Sequence, residues 1–207
     1  MNKISNNALG WDAITNAFEK LYPGQSKPLH FAPLLSWQLG GDDPIDGISV
    51  YEGDGYYHFV TYGFSELYEK ESENMEYSGY GFELTLKLKK AESIDEEELK
   101  CVAGIFQSLA RYIFEGERGF QPYEYIYTGQ QNGMDLKSRS KLTGFITIPD
   151  EMGIISTPFG KVEFIQLLGM TDKELKTLVD KQYTVKELID KLKSESLLTD
   201  YNRDDLI

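Results

Sequence analysis

The stretch Phe82-Glu83-Leu84-Thr85-Leu86-Lys87-Leu88-Lys89 decides how the chain folds. Apolar residues take every second position and polar residues fill the gaps, a period of two that an extended strand turns into a single apolar face. The expectation is a strand with one buried and one wet face. Directly after it the period changes. Ser93 and Glu96 stand in capping-box spacing, and Leu99, Val102, Phe106, Leu109 and Ile113 recur at intervals of three and four. Residues 93–114 are therefore expected to form a long helix packed on the sheet.

Upstream, Trp11, Ile14, Phe18 and Leu21 lie on one helical face that stops at Tyr22-Pro23-Gly24. Extended runs follow at residues 30–39, 48–52 and 56–62, and Gly53-Asp54-Gly55 joins the last two as a hairpin. Downstream, residues 116–139 are polar, although Tyr123, Tyr125 and Tyr127 alternate as in a strand, and residues 129–140 are expected to be a mobile loop. Strands resume at residues 142–148 and 162–168, the second entered through the turn Pro158-Phe159-Gly160. Thr171 with Glu174, and Thr184 with Glu187, open two short helices by capping boxes. The order predicts one α+β domain spanning residues 1–207, with a mixed or antiparallel sheet covered by helices. Its core is expected over about residues 10–194, with a frayed tail after Ser194.

Thirty-four acidic against 21 basic residues leave a formal charge of −13, so a phosphate backbone is an unfavourable partner and a basic protein fits better. Fourteen Tyr and 11 Phe supply the amphipathic rings that cores and interfaces favour. The single Cys101 rules out an internal disulfide and points to a reducing compartment. Residues 1–10 carry no apolar leader, and no stretch approaches the ~20 apolar residues of a membrane span. A soluble, cytoplasmic protein is expected.

Chemistry-bearing patterns are sparse. His30 and His58 both sit in strand-like runs, and Cys101 lies beside the apolar stripe of the long helix, so all three read as structural. Gly79-Tyr80-Gly81 precedes a strand instead of joining a strand to a helix, which removes a phosphate loop. The acidic clusters Glu69-Glu71-Glu73 and residues 95–98 could in principle serve a hydrolase as an acid and base pair. Solvated surface is the simpler account, and charge in the first turn of a helix is stabilising there. No cofactor and no metal is expected, and the chain reads as a binder rather than an enzyme.

Several blocks, in fixed order, resemble the Suppressor of fused family. They are Gly10-Trp11-Asp12-Ala13-Ile14 with Leu21-Tyr22-Pro23, Leu39-Gly40-Gly41-Asp42-Asp43-Pro44-Ile45-Asp46, and His58-Phe59-Val60-Thr61-Tyr62-Gly63-Phe64-Ser65-Glu66-Leu67-Tyr68. Further on come Ser78-Gly79-Tyr80-Gly81-Phe82-Glu83-Leu84-Thr85, Leu109-Ala110-Arg111-Tyr112-Ile113-Phe114 and Thr157-Pro158-Phe159-Gly160. The resemblance implies a non-enzymatic protein-binding domain. In the animal protein a second domain follows, and a segment of a zinc-finger transcription factor is clamped between the two as an added strand. Bacterial relatives are associated with immunity proteins encoded beside secreted toxins, many of them nucleases.

On that resemblance the leading expectation is an immunity protein, an antitoxin that neutralises a basic toxin domain. The alternative is a regulatory scaffold that sequesters a transcription factor or another endogenous protein. The resemblance also places the binding surface on Phe59, Tyr62, Ser65, Glu66, Tyr68, Glu69 and Glu71, where rings and carboxylates adjoin.

Overall fold

The computed structural model describes residues 8–116, 118–192 and 197–207. Its strands are β1 (Leu29–Phe31), β2 (Gly47–Glu52), β3 (Tyr56–Tyr62), β4 (Tyr77–Lys89), β5 (Tyr125–Ile126), β6 (Leu142–Thr157) and β7 (Gly160–Thr171). Its helices are α1 (Leu9–Leu21), α2 (Glu96–Gly116), α3 (Asp172–Val179) and α4 (Val185–Lys191). The strands make one mixed seven-stranded sheet in the order β1-β2-β3-β4-β7-β6-β5. Neighbours are antiparallel except β4 and β7, which run parallel. A parallel pair needs a long crossover, and the chain supplies one through α2, β5 and β6.

The two faces of the sheet are covered by different helices. Phe59, Leu84, Leu86, Leu88, Ile165 and Leu167 pack with Leu99, Val102, Phe106 and Ile113 of α2 on one side. On the other side, Ile14 and Phe18 of α1, with Tyr22 just beyond it, meet Tyr51, Val60, Tyr62 and Phe164. Leu175, Leu178 and Leu188 of α3 and α4 cover Ile146, Ile148, Leu168 and Met170. Each fully buried aliphatic or aromatic side chain contributes about 1.5–3 kcal/mol, so the alternating apolar positions of β4 carry much of the fold.

The wet face expected of β4 is buried. Glu83 and Thr85 are fully covered and Lys87 nearly so, because β4 lies at the centre of a sheet with helices on both sides. These polar side chains survive there by pairing: Glu83 with Thr61 and Ser65, Thr85 with Asp150, and Lys87 with Glu151 at 2.8 Å. The run at residues 30–39 is strand only as far as Phe31, then becomes a 3-10 turn, Trp37–Leu39, ended by Gly40 at φ 90°. Asp95, not Ser93, caps α2, accepting from the Glu98 N–H at 3.0 Å. Within the loop over residues 129–140, Asp135 accepts from the N–H groups of Arg139 and Ser140, and the Leu136 N–H donates to Glu98. Both later capping boxes form as read.

The boundary expected at Ser194 falls in residues 193–196, outside the described residues. Residues 197–207 are not frayed. Thr199 slots in where β4 and β7 diverge beyond the Leu86–Leu167 pair, exchanging backbone hydrogen bonds with Lys87 and Lys89. Its hydroxyl accepts from the Gly169 N–H at 3.0 Å. Arg203 then grips the fully buried Glu174 through two 2.6 Å contacts.

Candidate protein-binding cleft

Beyond β3 the chain runs through residues 63–76 before re-entering the sheet, and two carboxylates organise this loop. The first is Glu83, whose Oε1 accepts from the N–H groups of Gly63 and Ser65 and from the Ser65 hydroxyl, while Oε2 accepts from the Thr61 hydroxyl at 2.6 Å. Burial without a cation pushes its carboxyl up to about 7, against the pull of those donors. The second is Glu66, which accepts from the N–H groups of Glu71, Ser72 and Gly79 and from Lys70 at 2.9 Å. Burial alone would raise the Glu66 carboxyl, but the Ser72, Lys70, Glu71 and Gly79 donors together outweigh it and bring it down to about 2.

The loop held in this way forms one wall of an open cleft of about 700 Å³. Trp37, Pro44 and Asp46 face it from the segment before β2, Tyr80 from β4 and Phe114 from the end of α2. The rings brace one another: Tyr80 lies 5.2 Å from Phe114, and Trp37 meets Phe114 edge-on at 6.3 Å. Nearly half of Trp37 and just over half of Tyr68 remain open to solvent, and Leu34 and Leu39 beside Trp37 are more exposed still. Exposed large apolar side chains clustered in one segment are a feature of interaction surfaces.

The structure divides the sequence-predicted residues. Ser65, Glu66, Tyr68, Glu69 and Glu71 all line the cleft. Phe59 and Tyr62 do not: both are fully buried, Phe59 against α2 and Tyr62 stacked at 4.2 Å on Trp11 across the sheet. As strand neighbours three apart they point to opposite faces, and helices cover both. Glu66 is a loop clamp and not a steering group, because its charge is already spent on internal donors. Sequence reading missed Trp37, Asp46, Tyr80 and Phe114, which come from three separate segments. Asp46, Tyr80 and Phe114 each lie in a family-like block, but nothing in the sequence brings those blocks together, and Trp37 lies in the run 30–39 that reads as extended.

Other concentrations of reactive groups are structural. His58 receives or donates a 2.6 Å hydrogen bond with Tyr22 at Nδ1 and a 3.0 Å one with Asp150 at Nε2, and all three residues are buried with no approach for a substrate. Burial, Glu98 and Asp135 push the Cys101 thiol up, away from the nucleophilic thiolate. Among the described residues no cluster of three or more His, Cys, Asp or Glu could hold a metal ion. A second concavity of about 730 Å³ lies between residues 24–29 and the start of α2, with Lys27, Glu52, Asp95 and Glu96 on its walls.

The chain is an α+β domain with helices on both faces of its sheet and an open cleft lined by aromatic residues. The chain belongs to the Suppressor of fused family. The family profile described as Suppressor of fused protein (SUFU) matches residues 41–204. The human and mouse Suppressor of fused homologs are each 32% identical over 181 residues, covering 80% of this chain. The chain spans 36% of the length of those relatives. Among solved structures, one described as the Sufu-Fu complex is similar with a TM-score of 0.84 at 28% identity, covering 96% of this chain and 93% of that one. Drosophila Suppressor of Fused is similar with a TM-score of 0.82 at 28% identity, over 96% of this chain and 51% of that one.

Proposed function

We propose that this domain is a non-enzymatic regulatory scaffold that captures a segment of another protein in the cleft between residues 63–72, Trp37, Tyr80 and Phe114. The observation that carries the reading is the exposed aromatic surface of that cleft, mounted on a loop made rigid by Glu66 and Glu83. Rings held in place by neighbours lose little entropy on binding and make good anchors. The relatives support the same class, one of them having been solved as a complex with Fu. One free thiol, and the lack among the described residues of a helix long and apolar enough to cross a membrane, fit a cytoplasmic setting.

The immunity reading, in which the partner is a basic toxin domain such as a nuclease, has the charge of −13 in its favour. The relatives named above bear on the scaffold reading instead. A photoreactive benzoylphenylalanine placed at Tyr68 decides between them, by crosslinking the partner in the cells that make this protein. An endogenous regulator is the expected product, and a secreted toxin would favour immunity. If Tyr68→Ala and Trp37→Ala leave capture of the identified partner unchanged, the interface lies elsewhere.

A further inference from the structure

The carboxylates of the cleft are not equivalent. Glu66, like the buried Glu83 behind the loop, is saturated by internal donors. Asp46 is not: it is half-buried and has no ion pair among the described residues. The Tyr68 hydroxyl donates to it, and burial pushes the Asp46 carboxyl up all the same. Its place is fixed, since its backbone N–H donates to the Tyr62 carbonyl at 2.8 Å. The cations nearby are committed elsewhere. Lys70 spends its three protons on Glu66, Ser72 and the Tyr77 carbonyl, and Arg111 is tied to Asp43 at 2.5 Å. Exposed Glu69 and Glu71 add negative charge at the rim, with no ion pair among the described residues.

We propose that Asp46 anchors a cationic side chain, arginine or lysine, carried on an apolar segment of a partner protein that lies in this cleft. The proposal rests on the cleft being the partner surface and adds the chemistry of what fills it. A carboxylate already partly desolvated pairs more strongly with an incoming cation than one in open water. The surrounding rings of Trp37, Tyr68 and Tyr80 favour the same guest, whose charge they attract through their faces and whose methylene stem they cover. Arginine fits best, because its planar fork can meet the carboxylate while stacking on a ring. Apolar neighbours in the segment would cover Trp37 and Leu39, and the rim glutamates would steer its approach.

A phage library of random peptides, panned on the full chain, supplies the probe. The wild-type protein is expected to enrich peptides with arginine or lysine between apolar residues. For a synthetic peptide from that set, changing arginine to citrulline should weaken binding at least tenfold on the wild type and little on Asp46→Asn. The amide oxygen of that variant still accepts from Tyr68, so a matching melting temperature will show that the fold is kept. An equal citrulline penalty on both proteins, or enrichment of uncharged peptides, overturns the Asp46 subsite while Trp37→Ala still abolishes binding and upholds the cleft. Enriched peptides that bind Trp37→Ala and Tyr68→Ala as well as the wild type overturn the cleft reading, and so does a library that yields no enriched clone.

Discussion

A buried carboxylate costs several kcal/mol unless donors or a cation surround it, and Glu83, which has donors alone, and Glu66, which has donors and Lys70, resolve that problem in opposite senses. Burial wins at Glu83, whose native carboxyl titrates near 7 against an ordinary 4.5. Between those values the native state holds a proton that the unfolded chain releases, so stability falls as pH rises from about 4.5 to 7 and is flat above. The span corresponds to on the order of 3 kcal/mol. Glu83→Gln should remove that slope from denaturant melts taken across the range. The Gln amide can donate to Thr61, whose hydroxyl turns to the Leu84 carbonyl 3.3 Å away. An unchanged slope would assign the titration to another group. Donors win at Glu66, held at about 2, so its stabilisation is present above 4.5 and disappears only as pH falls toward 2. Glu66→Gln should loosen residues 66–79 at neutral pH, read as faster amide exchange at Glu71, Ser72 and Gly79, the three N–H groups it accepts from.

At the scale of the element, β4 is the strand the fold leans on. Leu86→Asp places an unpaired charge between β4 and α2, and should cost about 3–5 kcal/mol and unfold the domain at ordinary temperature, checked by circular dichroism. Asp95→Ala removes one N-cap from α2 and should cost about 1 kcal/mol, seen as a modest fall in melting temperature with the far-UV spectrum kept. Local pattern alone made the helices and strands legible, down to both late capping boxes. The second face of β4 was not legible, because Glu83, Thr85 and Lys87 are ordinary wet-face residues until Ser65, Asp150 and Glu151 arrive from distant segments. The same holds for the cleft. Its loop residues 65–71 stand together in sequence, whereas Trp37, Asp46, Tyr80 and Phe114 meet only in space.

Across the whole molecule, the docked tail and the net charge set the remaining expectations. Arg203→Ala leaves the fully buried Glu174 carboxylate without its cation and should cost about 3 kcal/mol, measured by urea unfolding. If the loss is only a few tenths, the tail contributes little to the fold. A charge of −13 should also make partner association strongly salt-dependent, with the on-rate falling several-fold between about 0.01 and 0.15 M salt as the screening length drops from about 30 to 8 Å. Stopped-flow kinetics with the partner would show it, and a rate insensitive to salt would mean that the acidic rim does not steer.

Read without its fold, this chain already determined the α+β class, the hairpin Gly47–Glu52 to Tyr56–Tyr62, the long helix α2 and a strongly acidic character. Each of these depends on periodicity, turn chemistry or charge, which are properties of neighbouring residues. Tertiary structure alone decided that Phe59 and Tyr62 are interior, that Glu66 is a clamp while Asp46 has no ion pair among the described residues, and that Thr199 of the tail bridges to β4. Those outcomes depend on which donors, cations and rings arrive from far along the chain, and a carboxylate looks the same in sequence whether its charge is satisfied or waiting for a partner.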